Sequence, residues 1–295
     1  MKDIINEFLD YIAYEKKYSN NTEINYEIDL YRFAEFLKIN HKDYLKIKYE
    51  DVSNFIMSLQ KSGYKSTTIN RAISTLRSFS TYLEKEKIIT SNPFNLVSNL
   101  KTDKRLPNYF KYNEYLEMVN TLSDSPLDIR NRLILELLLA TGMRVSELSS
   151  VKMDAIDFNN NEIKVHGKGG KERIVYYGSY AKDALDNYLH NSRNILLNGK
   201  NCEFLLVNNN GNPLTSRGIR LIIENIVKKA SISSKVTPHT FRHTFATMLL
   251  NEGCNIKSVQ ELLGHASLGT TGIYTHLTNE EVRKVYLNAH PRAKK

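Results

Sequence analysis

The chain has 295 residues, 41 Lys+Arg against 32 Asp+Glu, a formal net charge of +9 and 41% hydrophobic residues. That length suits about two domains, each able to bury its own core. Two cysteines exclude a disulfide-stapled secreted scaffold. No apolar run approaches the ~20 residues of a membrane span, and acids interrupt the N-terminal stretch where a signal peptide needs apolar residues. The expected setting is the cytoplasm, and the basic balance suggests a polyanion partner.

The charge is unevenly placed. Residues 1–100 hold 14 basic and 13 acidic side chains, so nearly all the excess lies beyond them. Within that neutral part, residues 52–83 contain no acid and carry Lys61, Lys65, Arg71 and Arg77. A strip of four cations is also what an ordinary solvated helix face looks like.

In chain order, Ile5, Phe8, Leu9 and Ile12 recur at helical spacing. Thr22 can cap a second helix with a Tyr26, Leu30, Phe33 and Leu37 stripe. Val52, Phe55, Ile56 and Leu59 mark a third. Ser66 or Thr67 can cap a fourth, whose apolar side is Ile69, Ile73, Leu76 and Leu83. Arg71 and Arg77 point away from that side. Asn92-Pro93 breaks the pattern, and the polar, basic NLKTDKRLP reads as a linker.

Helices are then expected near 113–122 and 131–140, the latter closed by Gly142. EIKV, HGKGGKER and IVYY read as two strands around a Gly-rich turn, and 204–207 as a further short strand. Helices resume over 216–230, 240–251, 256–263 and 279–289. The expected fold is mainly α with a small antiparallel β-sheet. The expected division is a helical bundle over 1–88, a linker over 89–106, a mixed α+β domain over 107–288 and a tail over 289–295.

Four segments carry chemistry: ATGMRVSEL with Arg144, HGKGGKER with Lys168, HTFRH with His239 and Arg242, and LLGHASLGTTGIYTH with His265 and Tyr274. Each alone has an ordinary reading as an ion pair, a turn lysine, a helix-start histidine or a core tyrosine. His239 and His243 stand at the i, i+4 spacing of a zinc pair. Thr240 replaces the needed Glu, however, and Arg242 opposes a cation, so no metal site is expected. HGKGGKER lacks the spacing and the strand–turn–helix context of a phosphate loop.

Taken together, TG-x-R-x-x-E-L, the GKG hairpin, H-x-x-R-H, LLGH, IYTH and the closing HPR resemble the tyrosine recombinase (phage integrase) family, and within it the Xer group. The resemblance spans nearly the whole chain. It implies a core-binding (SAM-like) DNA-binding bundle at the N-terminus and a tyrosine-recombinase catalytic domain after it. Residue by residue, the family's catalytic positions fall on Arg144, Lys168, His239, Arg242, His265 and the nucleophile Tyr274. Gly272 departs from the larger polar residue common at that position, and a helical glycine costs about 1 kcal/mol relative to alanine.

The resemblance implies cleavage and rejoining of DNA through a 3′-phosphotyrosyl intermediate, without ATP, metal or other cofactor. Two guanidiniums can clamp the anionic phosphate while His265 adds a hydrogen bond. His239 suits a general base and Lys168 the acid for the leaving oxygen. Lys65, Arg71 and Arg77 are the expected DNA contacts of the first domain. The implied partners are a double-stranded recombination site, a homo- or hetero-tetramer with a related recombinase, and a DNA translocase of the division machinery, with no membrane. The Xer likeness implies chromosome-dimer resolution at cell division. The absence of a leading arm-binding segment favours it over an integrase or transposon recombinase. A topoisomerase and a non-catalytic regulator are further alternatives.

Overall fold

The computed structural model describes residues 1–16, 18, 20–102, 109–167, 172–264 and 279–293. It divides into two units, 1–104 and 105–295. Both are mainly helical, and one small antiparallel sheet lies in the second. Among the described residues no helix is long and apolar enough to cross a membrane.

In the first unit, α1 (Lys2–Asp10) runs into a single π-turn at Tyr11–Glu15. It is followed by α2 (Asn20–Ile39), α3 (Tyr49–Lys61) and α4 (Ser66–Lys85). The apolar stripes meet in one core: Ile5, Phe8 and Ile12 against Leu30, Phe33, Phe55, Ile73, Leu76 and Phe79. Phe33 meets Phe55 edge-on at 4.9 Å, the geometry aromatic pairs prefer. Lys65 rather than Ser66 or Thr67 occupies the N-cap of α4.

The expected linker begins later than residue 89. Phe94 and Val97 are buried in the first core. Asn70 exchanges two hydrogen bonds with the Leu100 backbone, at 2.8 and 2.9 Å. Arg77 donates to the Phe94 and Val97 carbonyls at 3.3 and 2.7 Å. Residues 92–100 are therefore strapped along α4. Residues 103–106 lie outside the described residues.

The second unit is built around α6 (Pro126–Thr141), preceded by α5 (Tyr112–Asn120). Ser125 caps α6 by accepting from the Asp128 N–H, and Pro126 sits where its missing donor is harmless. The helix thus starts five residues before the expected Asn131. Every residue from Leu133 to Ala140 is buried, Glu136 included, as suits a central helix. Gly142 ends it in the left-handed region at φ 60°. A Cβ there would also meet Phe245 at 2.5 Å.

Then come α7 (Val145–Ser149) and the sheet of β1 (Ile156–Asp157), β2 (Glu162–His166) and β3 (Glu172–Tyr176), ordered β1-β2-β3. The β2–β3 register pairs Ile163 with Val175 and His166 with Glu172. The expected strand over 204–207 forms only isolated bridges. Arg193 accounts for this by donating to the carbonyls of Cys202, Phe204 and Leu205, in place of a ladder partner. The sequence reading had no helix in α8 (Ser179–Tyr188), nor in the π-turn and α9 (Asn194–Leu197) that follow. The chain closes with α10 (Ser216–Lys229), α11 (Pro238–Asn251), α12 (Ile256–Leu263) and α13 (Asn279–Ala289).

At the end of the described residues, His290, Arg292 and Ala293 are buried in their own unit, while Pro291 is exposed. The His290 imidazole lies between the Leu139 carbonyl, to which Nε2–H donates at 3.2 Å, and the Arg292 N–H, which Nδ1 accepts at 3.2 Å. Arg292 forks onto Glu136 at 2.5 and 3.0 Å, donates to the Tyr112 hydroxyl and stacks 3.9 Å over Tyr180.

Breaking that buried pair from one side strands a charge. Arg292→Ala should therefore destabilise by about 3–5 kcal/mol, whereas the apolar pair Arg292→Met with Glu136→Leu should lose markedly less. Urea unfolding of the full chain measures both.

Burial, together with Arg292, pushes His290 down to about 4, and the Leu139 bond only partly opposes this. The unfolded chain binds this proton near pH 6.5 and the folded one only near 4. Stability should thus be fully present above 6.5 and fall as pH drops through that window, by at most about 1.4 kcal/mol per unit. His290→Gln should remove this slope in urea titrations at stepped pH.

Candidate active site

Arg144 sits at the N-cap of α7, two residues after the Gly142 turn. Glu147, one helical turn on and only 3% exposed, receives its backbone N–H at 2.7 Å and its Nη1 at 2.8 Å. Arg173 on β3 forks onto the same carboxylate at 2.8 and 2.9 Å. Burial alone would raise the Glu147 carboxyl. The Arg173 fork and the Arg144 amide outweigh it and hold the group below the usual carboxylate range.

Arg242 reaches the same place from α11. Thr237 caps that helix by accepting from the Thr240 N–H, and Pro238 opens its first turn. The buried Phe241 and Phe245 seat the helix in the core and turn Arg242 toward the ends of α6 and α12. Its Nη1 donates to the Gly142 carbonyl at 2.8 Å and its Nη2 to the Leu263 carbonyl at 2.5 Å. These are C-terminal ends of helices, where partial negative charge suits a cation. Burial first, then Arg144 and Arg173, push Arg242 down to about 10, so it stays charged at neutral pH.

His239 occupies the first turn of α11, beside a cleft of about 520 Å³ lined by Arg220, Glu224, Lys235 and Pro238. Desolvation there, and then His243, Arg220, Arg242 and Arg144, lower its pKa from the ordinary 6.5. The imidazole is accordingly neutral at pH 7 and can accept a proton. The surrounding cations also make a resident metal cation unfavourable.

Arg144, Arg242 and His239 are thus brought together from two helices more than ninety residues apart. Lys168, His265, Tyr274 and Gly272 lie outside the described residues. Sequence reasoning missed Arg173, and it read Glu147 only as an ordinary pair partner. The signal available was that the R of HGKGGKER falls on the strand beside the hairpin, within reach of an acid on α7.

In the first unit, two of the three expected DNA contacts have partners inside the fold. Arg71 bonds Asn25 and pairs with the buried Asp29 at 3.1 Å. Asp29 also accepts from Thr75 at 3.3 Å and Arg32 at 3.2 Å. Arg77 holds the 94 and 97 carbonyls, and Lys65 is exposed.

Two family models match this chain in the order of its two units. The Phage integrase family matches residues 108–281, and the Phage integrase, N-terminal SAM-like domain matches residues 5–87. The chain therefore belongs to the phage integrase family. Tyrosine recombinase XerC of Bacillus licheniformis is 45% identical over 100% of this chain and 98% of its own. Tyrosine recombinase XerC of Staphylococcus aureus is 43% identical over 100% and 99%. Within the family the chain is accordingly a site-specific tyrosine recombinase of the Xer group. Among solved structures, a lambda integrase dimer bound to a COC' core site shares the fold. Its TM-score is 0.72 at 20% identity, covering 94% of this chain and 99% of that one. XerA recombinase gives 0.50 at 30% identity, covering 98% and 99%.

Removing a cation near His239 should ease its protonation. In the free protein His239 should titrate below pH 6.5, and Arg220→Ala should move that midpoint upward. NMR titration of the His239 ring reads both.

Proposed function

We propose that this recombinase cuts and rejoins duplex DNA with Arg144 and Arg242 as a phosphate clamp, His239 as base, Lys168 as acid, His265 as a further donor and Tyr274 as nucleophile. The observation that carries the reading is electrostatic. Two guanidiniums converge on the Gly142 turn although each opposes the other's charge; burial first, and then Arg144 and Arg173, push Arg242 down to about 10. Cations held together against repulsion are preorganised for an anion that gains charge during reaction. Full-length similarity to XerC proteins supports the same reading.

In the forward step the Tyr274 oxygen attacks phosphorus. A tyrosyl O–P bond forms, the P–O5′ bond breaks, the phenol proton passes to His239, and the departing O5′ takes a proton from Lys168. A 3′-phosphotyrosyl and a free 5′-hydroxyl result. A 5′-hydroxyl of the partner strand reverses the step, so the bond is exchanged and the balance closes without ATP.

The first unit, its bundle extended by the strapped residues 92–100, serves as the core-binding domain and the second as the catalytic domain, with the residues joining them letting both engage one duplex. Lys65 is its strongest contact candidate, because Arg71 and Arg77 have structural partners. The XerC likeness supports chromosome-dimer resolution, by a tetramer acting with a related recombinase or alone; activation by a DNA translocase is part of the proposal and rests on no comparison. Solved relatives bound as a dimer to a core site and as a tetramer to a Holliday junction are in keeping with such an assembly.

A nicked suicide substrate tests the chemistry. The native protein should form a covalent adduct and Tyr274→Phe none; an adduct with Tyr274→Phe would displace the nucleophile. Lys168→Ala should slow cleavage, and a bridging 5′-phosphorothiolate, whose sulfur leaves unprotonated, should restore most of the rate. In cells, loss of the gene should leave unresolved chromosome dimers, rescued by the native gene and not by Tyr274→Phe. Normal segregation without it would favour a mobile-element recombinase.

A further inference from the structure

We propose that Arg173 is a positioning residue for strand cleavage: by saturating the Glu147 carboxylate it keeps the Arg144 guanidinium from closing onto that carboxylate and leaves it turned to the phosphate. The inference rests on the phosphate-clamp reading of Arg144.

A carboxylate offers about four acceptor directions on its two oxygens. At Glu147 four donors fill them: the Arg144 N–H, Arg144 Nη1, Arg173 Nη1 and Arg173 Nη2. Guanidinium–carboxylate pairs favour the two-pronged fork. Arg173 holds that fork, and the Arg144 guanidinium is limited to one nitrogen, Nη1. Without Arg173, two acceptor directions open beside Arg144. The fork would then pass to Arg144, neutralising it and withdrawing its donors from the anion.

Arg173 is a poor choice if stability alone were served. It adds a third guanidinium to a cluster with one carboxylate and helps depress Arg242. Its Nε is buried without a partner among the described residues. Buried ion clusters of this kind are weak contributors to stability.

The placement of Arg173 is also enforced from behind. Gly264 ends α12, and a Cβ on it would lie 2.7 Å from Arg173 Cδ and 3.0 Å from Nε. The neighbouring Leu263 carbonyl holds Arg242. One helix end thus sets both clamp arginines, Arg242 directly and Arg144 through Arg173 and Glu147.

The test is cleavage of a nicked suicide duplex by the full chain, with duplex affinity measured separately by anisotropy. Arg173→Gln should slow covalent cleavage by about 10- to 100-fold, as misplacement of a reacting group does, while Kd changes less than about 3-fold. A duplex with a neutral methylphosphonate at the scissile position removes the charge that Arg144 answers. On it the deficit of Arg173→Gln should shrink to within about 3-fold, as that of Arg144→Ala should. Arg173→Lys keeps the cation without the fork and should show the same pattern if Arg173→Gln fails to fold by circular dichroism. Native-rate cleavage by either folded variant overturns the proposal. So does a deficit equally large on the methylphosphonate, or one fully explained by Kd. Native-rate cleavage by Arg144→Ala would instead overturn the clamp reading on which the proposal stands.

Discussion

A single buried carboxylate organises the second unit's chemistry. Glu147 is out of water, and a lone charge there would be severely unfavourable. It is tolerable because Arg144 and Arg173 reach it from α7 and β3. The same bonds tie the α6–α7 turn to the sheet. They fix the side chain that most needs fixing, since a guanidinium at a protein surface otherwise samples many rotamers. Four guanidinium and amide donors around two oxygens leave little angular freedom, and the orientation of Arg144 is inherited from that geometry.

The second organising device is the use of helix ends. α6 and α12 both terminate in left-handed glycines, at Gly142 and Gly264. Each end presents a carbonyl to Arg242. The fold thereby surrounds Arg242 with partial negative charge that is not a full counter-ion. Such a setting stabilises Arg242 without satisfying it as completely as a carboxylate would, and leaves the pocket able to prefer an arriving anion.

Much of this was legible in the sequence where local chemistry decides structure. Gly142 as a helix stop, the antiparallel pairing of β2 with β3 and the apolar stripes of α1 to α4 follow from turn and periodicity rules. The departures share a cause: the partner is distant in sequence. Arg77 falls off its helix's apolar stripe, which suggests solvent or ligand, yet the 94 and 97 carbonyls wait there. Arg173 reads as a strand-face charge until Glu147 is placed behind it. The strand expected over 204–207 had the right residue types, but Arg193 takes its carbonyls. α8 carries Ala181, Ala184, Leu185 and Tyr188 at helical spacing. Small alanines make that stripe faint beside the apolar wall of α6. The acid-free span likewise foretold cations but not that Asp29, outside the span, would claim one of them.

The buried seating of His290 and Arg292 has a consequence for how the unit is made. These residues follow every other element of the unit in the chain, yet they supply the counter-charge for Glu136 on the central helix and a partner for the Leu139 carbonyl. Until they arrive, the middle of the unit holds an unanswered acid. A nascent or clipped chain lacking them would present a strained, open core to proteases and chaperones. Packing at the centre of the unit is thus coupled to its last described residues.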